Sequence, residues 1–257
     1  MSNTSLTSTT LVSNGYTITH SAHVAPENVQ KLTKTIMFNS WTESLQREHK
    51  RLRVESINVT EVNMFGPNVG FANVHANVTN AKGKKLPGIV FMRSPAVAVL
   101  VVLITPDGEK TVVGVRQPRV PVGKSDYLEI AAGMLDDSNN FTGVAAKELK
   151  EELGLEIKAE ELIDLCSKVS GQNGNGPDID IGPSVGGCNE TIKLFLCVKH
   201  VTQEFLDSLK NRIIENNEHD TWETITVELI KYAEAWKIFK DVKALCALMY
   251  SEKLGLI

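Results

Sequence analysis

The stretch from Gly133 to Leu155, GMLDDSNNFTGVAAKELKEELGL, constrains this chain more than any other. A glycine-bearing loop leads into a helix expected from about Thr142 to Leu153, and Gly154 suits a left-handed C-terminal cap. Three carboxylates, Glu148, Glu151 and Glu152, fall within five consecutive residues of that helix. Glu148 and Glu152 are four apart, so they share one face, one turn above the other. Like charges at that spacing repel, and the helix dipole disfavours negative charge near the C-terminal end. A helix that accepts both costs has something positive to hold. Hard divalent cations take oxygen ligands, and this cluster offers them.

The flanking sequence predicts an α+β fold. Pro26 to His49 has helical spacing, with Val29, Leu32, Ile36 and Leu45 on or near one face and Pro26 suited to the first turn. Val54 to Phe65 and Phe71 to Val78 read as strands joined by a turn at Gly66 to Gly70, and Lys82 to Lys85 forms another turn. Ile89 to Arg93, Ala96 to Ile104 and Thr111 to Gln117 are further strands, the last two joined through Pro106-Asp107-Gly108. Tyr127 to Ala131 leads into the acidic region. Beyond it come a long Gly/Asn/Pro/Asp-rich loop (Gly171 to Gly187), a strand at Thr191 to Val198, a helix at Thr202 to Glu215 and a strand at Thr224 to Leu229. A closing amphipathic helical region, Ile230 to Leu254, is expected to bury Trp236, Phe239, Leu245 and Leu248. The whole predicts a mixed sheet sandwiched by helices, in three parts: a disordered Ser/Thr-rich leader over 1–25, a helix and β-rich region over 26–94, and the main domain over 95–257.

Composition narrows the function by exclusion. A net charge of −4 and no long basic run give no reason to expect nucleic-acid binding. The longest apolar run, Ala96 to Ile104, is too short to span a bilayer. Cys166, Cys188, Cys197 and Cys246 are scattered without metal-site spacing, which predicts reduced thiols and a reducing compartment. Met1 to Ala25 contains no Lys or Arg, so the cytoplasm is favoured over an organelle. Gly171-Gln172-Asn173-Gly174-Asn175-Gly176 lacks the Lys-Ser/Thr and the helix of a phosphate-binding loop. Asp178 and Asp180 read as groups that solvate their own loop, and Trp41, Trp222 and Trp236 as core or interface residues.

The spacing Gly133-x5-Asn139-x7-Lys147-Glu148-Leu149-x-Glu151-Glu152-x-Gly154-Leu155 resembles the box of the Nudix hydrolases. Two positions depart from that pattern: Asn139 stands for the first Glu and Lys147 for the Arg. The segments Pro87 to Leu100, Arg119-Val120-Pro121-Val122-Gly123-Lys124, Ala132 to Asp137 and Pro183 to Glu190 look like the ADP-ribose/ADP-sugar diphosphatase branch of that family, and most like the plant-type ADP-sugar diphosphatases. There too a Met-Leu-Asp-Asp sequence precedes the lost Glu.

The resemblance implies a Nudix fold and hydrolysis of a nucleotide-sugar diphosphate with Mg²⁺ or Mn²⁺. It implies Glu148 and Glu152 as metal ligands with Glu151 assisting both at the metal and in catalysis, and the Ala132 carbonyl completing the metal site. It implies Glu190 as the acid that orients or deprotonates water, Arg119 as a substrate contact, and Arg93 as a further phosphate contact. A homodimer formed through the N-terminal β-rich region is implied as well. Two other readings stay open: a UDP- or GDP-sugar as substrate, and a nucleotide sensor that binds without hydrolysis, which Asn139 and Lys147 would suit.

Overall fold

The computed structural model describes residues 11–135, 140–153, 157–171, 180–218 and 221–257. The chain divides into two units, Met1–Pro95 with Ser184–Glu190, and Ala96–Pro183 with Thr191–Ile257. The division at Pro95 lies one residue from the boundary expected at 94/95. The segment Ser184–Glu190 joins the first unit although the sequence reading kept it with the second.

Unit 1 contains β1 (Leu11–Ser13), β2 (Tyr16–His20), α1 (Pro26–Leu32), α2 (Ile36–Arg47), β3 (Leu52–Phe65), β4 (Asn68–Asn80), β5 (Lys85–Leu86) and β6 (Ile89–Arg93). Its sheet has the order β1-β2-β3-β4-β5, with β6 paired to β4. Among the described strands of this sheet, β2 and β3 pair in parallel and the other pairs are antiparallel. Period-two alternation buries Ile57 and Val59 of β3 and Ala72, Val74, Ala76 and Val78 of β4. Leu32 of α1, Met37 and Phe38 of α2, Ile18 and Met92 complete this core.

Two expectations fail here. The leader is not disordered from Leu11 onward: Asn14 and Gly15, both at positive φ, turn a hairpin whose second strand buries Ile18. Residues 1–10 of that leader lie outside the described residues. The single helix expected from Pro26 to His49 is two. Thr35 ends one and starts the next, since its hydroxyl donates to the Leu32 carbonyl at 2.7 Å and accepts from the Phe38 N–H at 3.3 Å.

Unit 2 contains β7 (Ala96–Ile104), β8 (Lys110–Arg119), β9 (Lys124–Glu129), β10 (Ala131–Met134), α3 (Phe141–Leu153), β11 (Leu162–Asp164), α4 (Leu165–Ser170), β12 (Ile192–His200), α5 (Gln203–Leu209), β13 (Ile213–Glu218), β14 (Thr221–Lys231), α6 (Tyr232–Ile238) and α7 (Val242–Lys253). The sheet runs β11-β12-β7-β8-β14-β13, with β10 on β7 and β9 on β8. The β12–β7 pair is parallel and the others antiparallel, so the sheet is mixed. Every residue of β7 from Ala96 to Leu103 is buried, as a strand covered on both faces requires. Ala96, Ala98, Leu100 and Val102 share a core with Ala244, Ala247 and Leu248 of α7. The alternate residues Val97, Val99, Val101 and Leu103 lie on the opposite face, and α3 packs on β7 and β10. This is an α+β fold, a mixed sheet between helices.

The C-terminal third departs from the sequence reading. The helix expected at Thr202 to Glu215 stops at Leu209; Asn211 takes φ 56° and β13 follows, paired to β14. The region from Ile230 to Leu254 continues β14 to Lys231, then breaks into two helices at Phe239 to Asp241. The break changes the helical phase. Phe239 and Leu248 are buried as expected, but Trp236 is 63% exposed and Leu245 is exposed too. Trp41 is half-buried, its ring edge-on to Phe38 at 6.2 Å between centroids, and the Trp222 side chain lies outside the described residues. No described helix is long and apolar enough to cross a membrane.

Truncating fully buried Phe239 to Ala should cost about 3–5 kcal/mol, whereas Trp236→Ala should change stability by no more than about 0.5 kcal/mol. Urea unfolding of both variants checks this, and a large loss from Trp236→Ala would contradict the assigned helical phase.

Candidate active site

The acidic region is built on β7. Antiparallel pairing sets Ala132 opposite Ala98 and Gly133 opposite Val97, so β10 presents its backbone at a fixed height along the central strand. The Asn140 side chain accepts from the Gly143 N–H at 3.0 Å, and the Asn140 carbonyl accepts the Val144 N–H at 2.9 Å, which starts α3. Gly143 leaves room for this: a Cβ there would meet the Asn140 Nδ2 at 2.3 Å. Along α3, Val144, Ala145, Leu149 and Leu153 form the buried stripe. Positions 148 and 152 each precede a residue of that stripe, so they flank it one turn apart.

The side chains of Glu148, Glu151 and Glu152 lie outside the described residues, as do Asp136–Asn139 and the expected cap at Gly154. Among the described residues no group of three His, Cys, Asp or Glu could hold a metal ion. The α3 backbone nevertheless stands against β10, where Ala132 is half-buried. The donors offered by these elements, backbone carbonyl and carboxylate, are all oxygen and suit Mg²⁺ or Mn²⁺. Lys147 is exposed and lines an open cavity of about 910 Å³ with Lys150, Lys158 and Lys199.

Arg119 ends β8, and it does not stand on a simple surface ion pair. Its Nε donates to Glu129 Oε1 at 2.5 Å, and its Nη2 to Glu129 Oε2 at 3.3 Å. Glu129 ends β9 with its side chain 6% exposed, while that of Arg119 is 38% exposed. Lys243, in the first turn of α7, donates from Nζ to Glu129 Oε2 at 2.5 Å and lies 2.9 Å from Asp241 Oδ2. Asp241 also caps α7, accepting from the Lys243 N–H at 3.3 Å. Burial raises the Glu129 carboxyl, but Arg119 and Lys243 more than offset this and hold it below the usual carboxylate range. Burial raises Asp241, and Lys243 offsets it only in part, so that carboxyl stays above its ordinary value. The sequence pointed to Arg119 but gave no sign of Glu129, Asp241 and Lys243, to which the structure links it.

Unit 1 holds the other two expected site residues, and they pair with each other. Arg93, at the end of β6, brings Nε to 3.1 Å from Glu190 Oε1; the Glu190 side chain is 12% exposed. The guanidinium also lies over the Phe71 ring, 5.7 Å from its centroid. The segment carrying Glu190 is tied down by its neighbour: Asn189 Oδ1 accepts the Arg93 N–H at 3.0 Å, and Asn189 Nδ2 donates to the Met37 carbonyl at 3.0 Å. The Phe91 N–H donates to the Gly187 carbonyl at 2.8 Å. Burial raises the Cys188 thiol in this segment, and no cysteine of the chain is in a disulfide. Asp180 is half-buried in the segment before β12; Asp178 lies outside the described residues.

The NUDIX domain model matches residues 94–246. Nudix hydrolase 14, chloroplastic, of Arabidopsis thaliana is 36% identical over 238 residues, covering 90% of this chain and 74% of that protein. A crystal structure titled ADP compounds hydrolase superposes with a TM-score of 0.50 at 15% identity, over 79% of this chain and 93% of its own.

Proposed function

The chain belongs to the Nudix family, and from that premise we propose that it hydrolyses the diphosphate of an ADP-sugar, ADP-glucose or ADP-ribose, to AMP and a sugar phosphate. The observation that supports this reading is the packing of the acidic region: α3, whose sequence carries Glu148, Glu151 and Glu152, packs on β10, which carries the Ala132 backbone, and on β7. The choice of an ADP-sugar rests on the sequence segments Arg119-Val120-Pro121 and Gly186-Gly187-Cys188-Asn189-Glu190.

In the reaction, water adds its oxygen to one phosphorus and the bridging P–O bond breaks. The bridging oxygen leaves with the other phosphate. Glu190 accepts the proton lost by water, a step worth about 10²–10⁴-fold in rate when the base is well placed. Arg93 Nε lies 3.1 Å from Glu190 Oε1 and fixes the position of that carboxylate. Arg119 contacts the phosphate oxygens, with Arg93 as a second phosphate contact. A guanidinium suits both tasks because its charge is permanent and its donors are planar. The Ala132 carbonyl, Glu148 and Glu152, with Glu151 assisting, would hold Mg²⁺ or Mn²⁺, which when bound would supply charge neutralisation at the diphosphate and polarisation of water. The compartment proposed is the cytoplasm, in keeping with four unpaired thiols.

Phosphate release coupled to alkaline phosphatase, with Mg²⁺ and then Mn²⁺, should be fast on one or both ADP-sugars and slow on UDP-glucose and GDP-mannose. Glu190→Gln should lower kcat by about 10²–10⁴-fold, and Glu152→Gln should abolish turnover with the circular dichroism spectrum unchanged. Release from the UDP- or GDP-sugar alone would move the reading to that base. Tight binding of nucleotide sugars without release from any of the four would make the protein a sensor.

We also propose a homodimer through unit 1. Ile89 is 66% exposed there, and Phe65 and Phe91 are exposed on either side of Phe71, with ring centroids 5.1 and 5.3 Å from it. An apolar cluster of this kind at the surface marks an interaction site. Light scattering should give twice the chain mass for the parent and the chain mass for Ile89→Asp; a monomeric parent would refute the dimer.

A further inference from the structure

We infer that Lys243 is a positioning residue for the diphosphate site: from α7 it fixes Glu129, and through Glu129 it fixes Arg119. The inference rests on the reading of Arg119 as a phosphate contact.

Lys243 is only 8% exposed, an uncommon place for an ammonium group. Its Nζ has two carboxylate neighbours, Glu129 and Asp241, both buried. Arg119 joins the same group from its exposed end. Two cations and two anions therefore alternate along the line Arg119–Glu129–Lys243–Asp241. A buried ion cluster gives little or no net stability compared with well-packed apolar side chains, because each ion loses its hydration. Stability alone is a poor reason for it, and geometry is a better one. The members come from β8, β9 and α7, and the contact from Glu129 to Lys243 spans 114 positions in the chain.

The division of Glu129 between its partners explains what Lys243 contributes. Oε1 receives Arg119 Nε, while Oε2 receives Lys243 Nζ and, less closely, Arg119 Nη2. With Lys243 in place, the carboxylate charge is shared between two cations, and Arg119 meets it through Nε and Nη2. Without it, the whole charge of a buried carboxylate falls on Arg119. The guanidinium is then drawn toward Glu129 and attracts an anionic substrate less. Asp241 balances Lys243 and fixes the helix end from which it reaches. The expected signature is weaker substrate binding with little change in the chemical step.

The test is a double-mutant cycle on KM with the ADP-sugar turned over fastest. Lys243→Met paired with Asp241→Asn removes one cation and one anion and retains a capping side chain. Lys243→Gln keeps a neutral donor and serves in the same cycle should the paired variant fail to fold. Arg119→Ala and the paired variant should each raise KM by about 10-fold with kcat within about twofold, and their combination should raise it no further than Arg119→Ala alone. Lys243→Arg should restore most of the parent KM. A paired variant with the parent KM, or effects of the two changes that multiply, would overturn the positioning role while leaving Arg119 as a phosphate contact. An unchanged KM in Arg119→Ala would instead refute the reading on which the inference rests.

Discussion

Much of unit 2 depends on β7. One edge of this strand pairs in parallel with β12 along its whole length. The other edge is divided, with β10 opposite Ala96 to Val99 and β8 opposite Val101 to Ile104. Its two faces are closed by different helices, with the α7 core on one side and α3 reaching the strand on the other. A one-residue slip of β7 would exchange its two buried faces and move Ala132 relative to α3. The run of small and β-branched apolar residues thus sets both the core and the height at which the oxygen donors stand.

The proposed site collects electrostatic costs where the fold can bear them. Like-charged residues occupy successive turns of α3, which Val144, Ala145, Leu149 and Leu153 anchor with a buried stripe. A second set of charges, around Glu129, lies inside the unit and is balanced there by two cations. In unit 1, Glu190 is held by an arginine, and its segment is fastened by Asn189 to α2 and β6. Each acidic group assigned a chemical task, or a supporting one, thus belongs to an element whose backbone is fixed by independent contacts.

The sequence was readable where a local rule determined the structure. The helix α3, the β7 run and the turn at Pro106 to Gly108 depend on short spacing and emerged as expected. The Asn14-Gly15 hairpin carried a local signal too, but the Ser/Thr content of the leader obscured it. The break at Thr35 and the stop at Asn211 each depend on one residue inside a helical pattern, which averaging over a window conceals. Trp236 was placed in the core because one continuous helix was assumed, and the break before α7 rotated it out. The Glu129–Lys243 contact and the capture of Ser184–Glu190 by unit 1 join distant parts of the chain and leave no trace in spacing. The sequence thus singled out Arg119, but not the buried group that holds it.

The central claim is that oxygen donors on β10 and α3 hold a divalent cation. Electron paramagnetic resonance of free Mn²⁺ during titration tests it without depending on substrate. The account predicts that the parent protein removes free Mn²⁺ from solution, and that Glu148→Gln combined with Glu152→Gln leaves the signal almost unchanged while the protein stays folded. Equal Mn²⁺ uptake by the parent and the folded double variant would contradict the account.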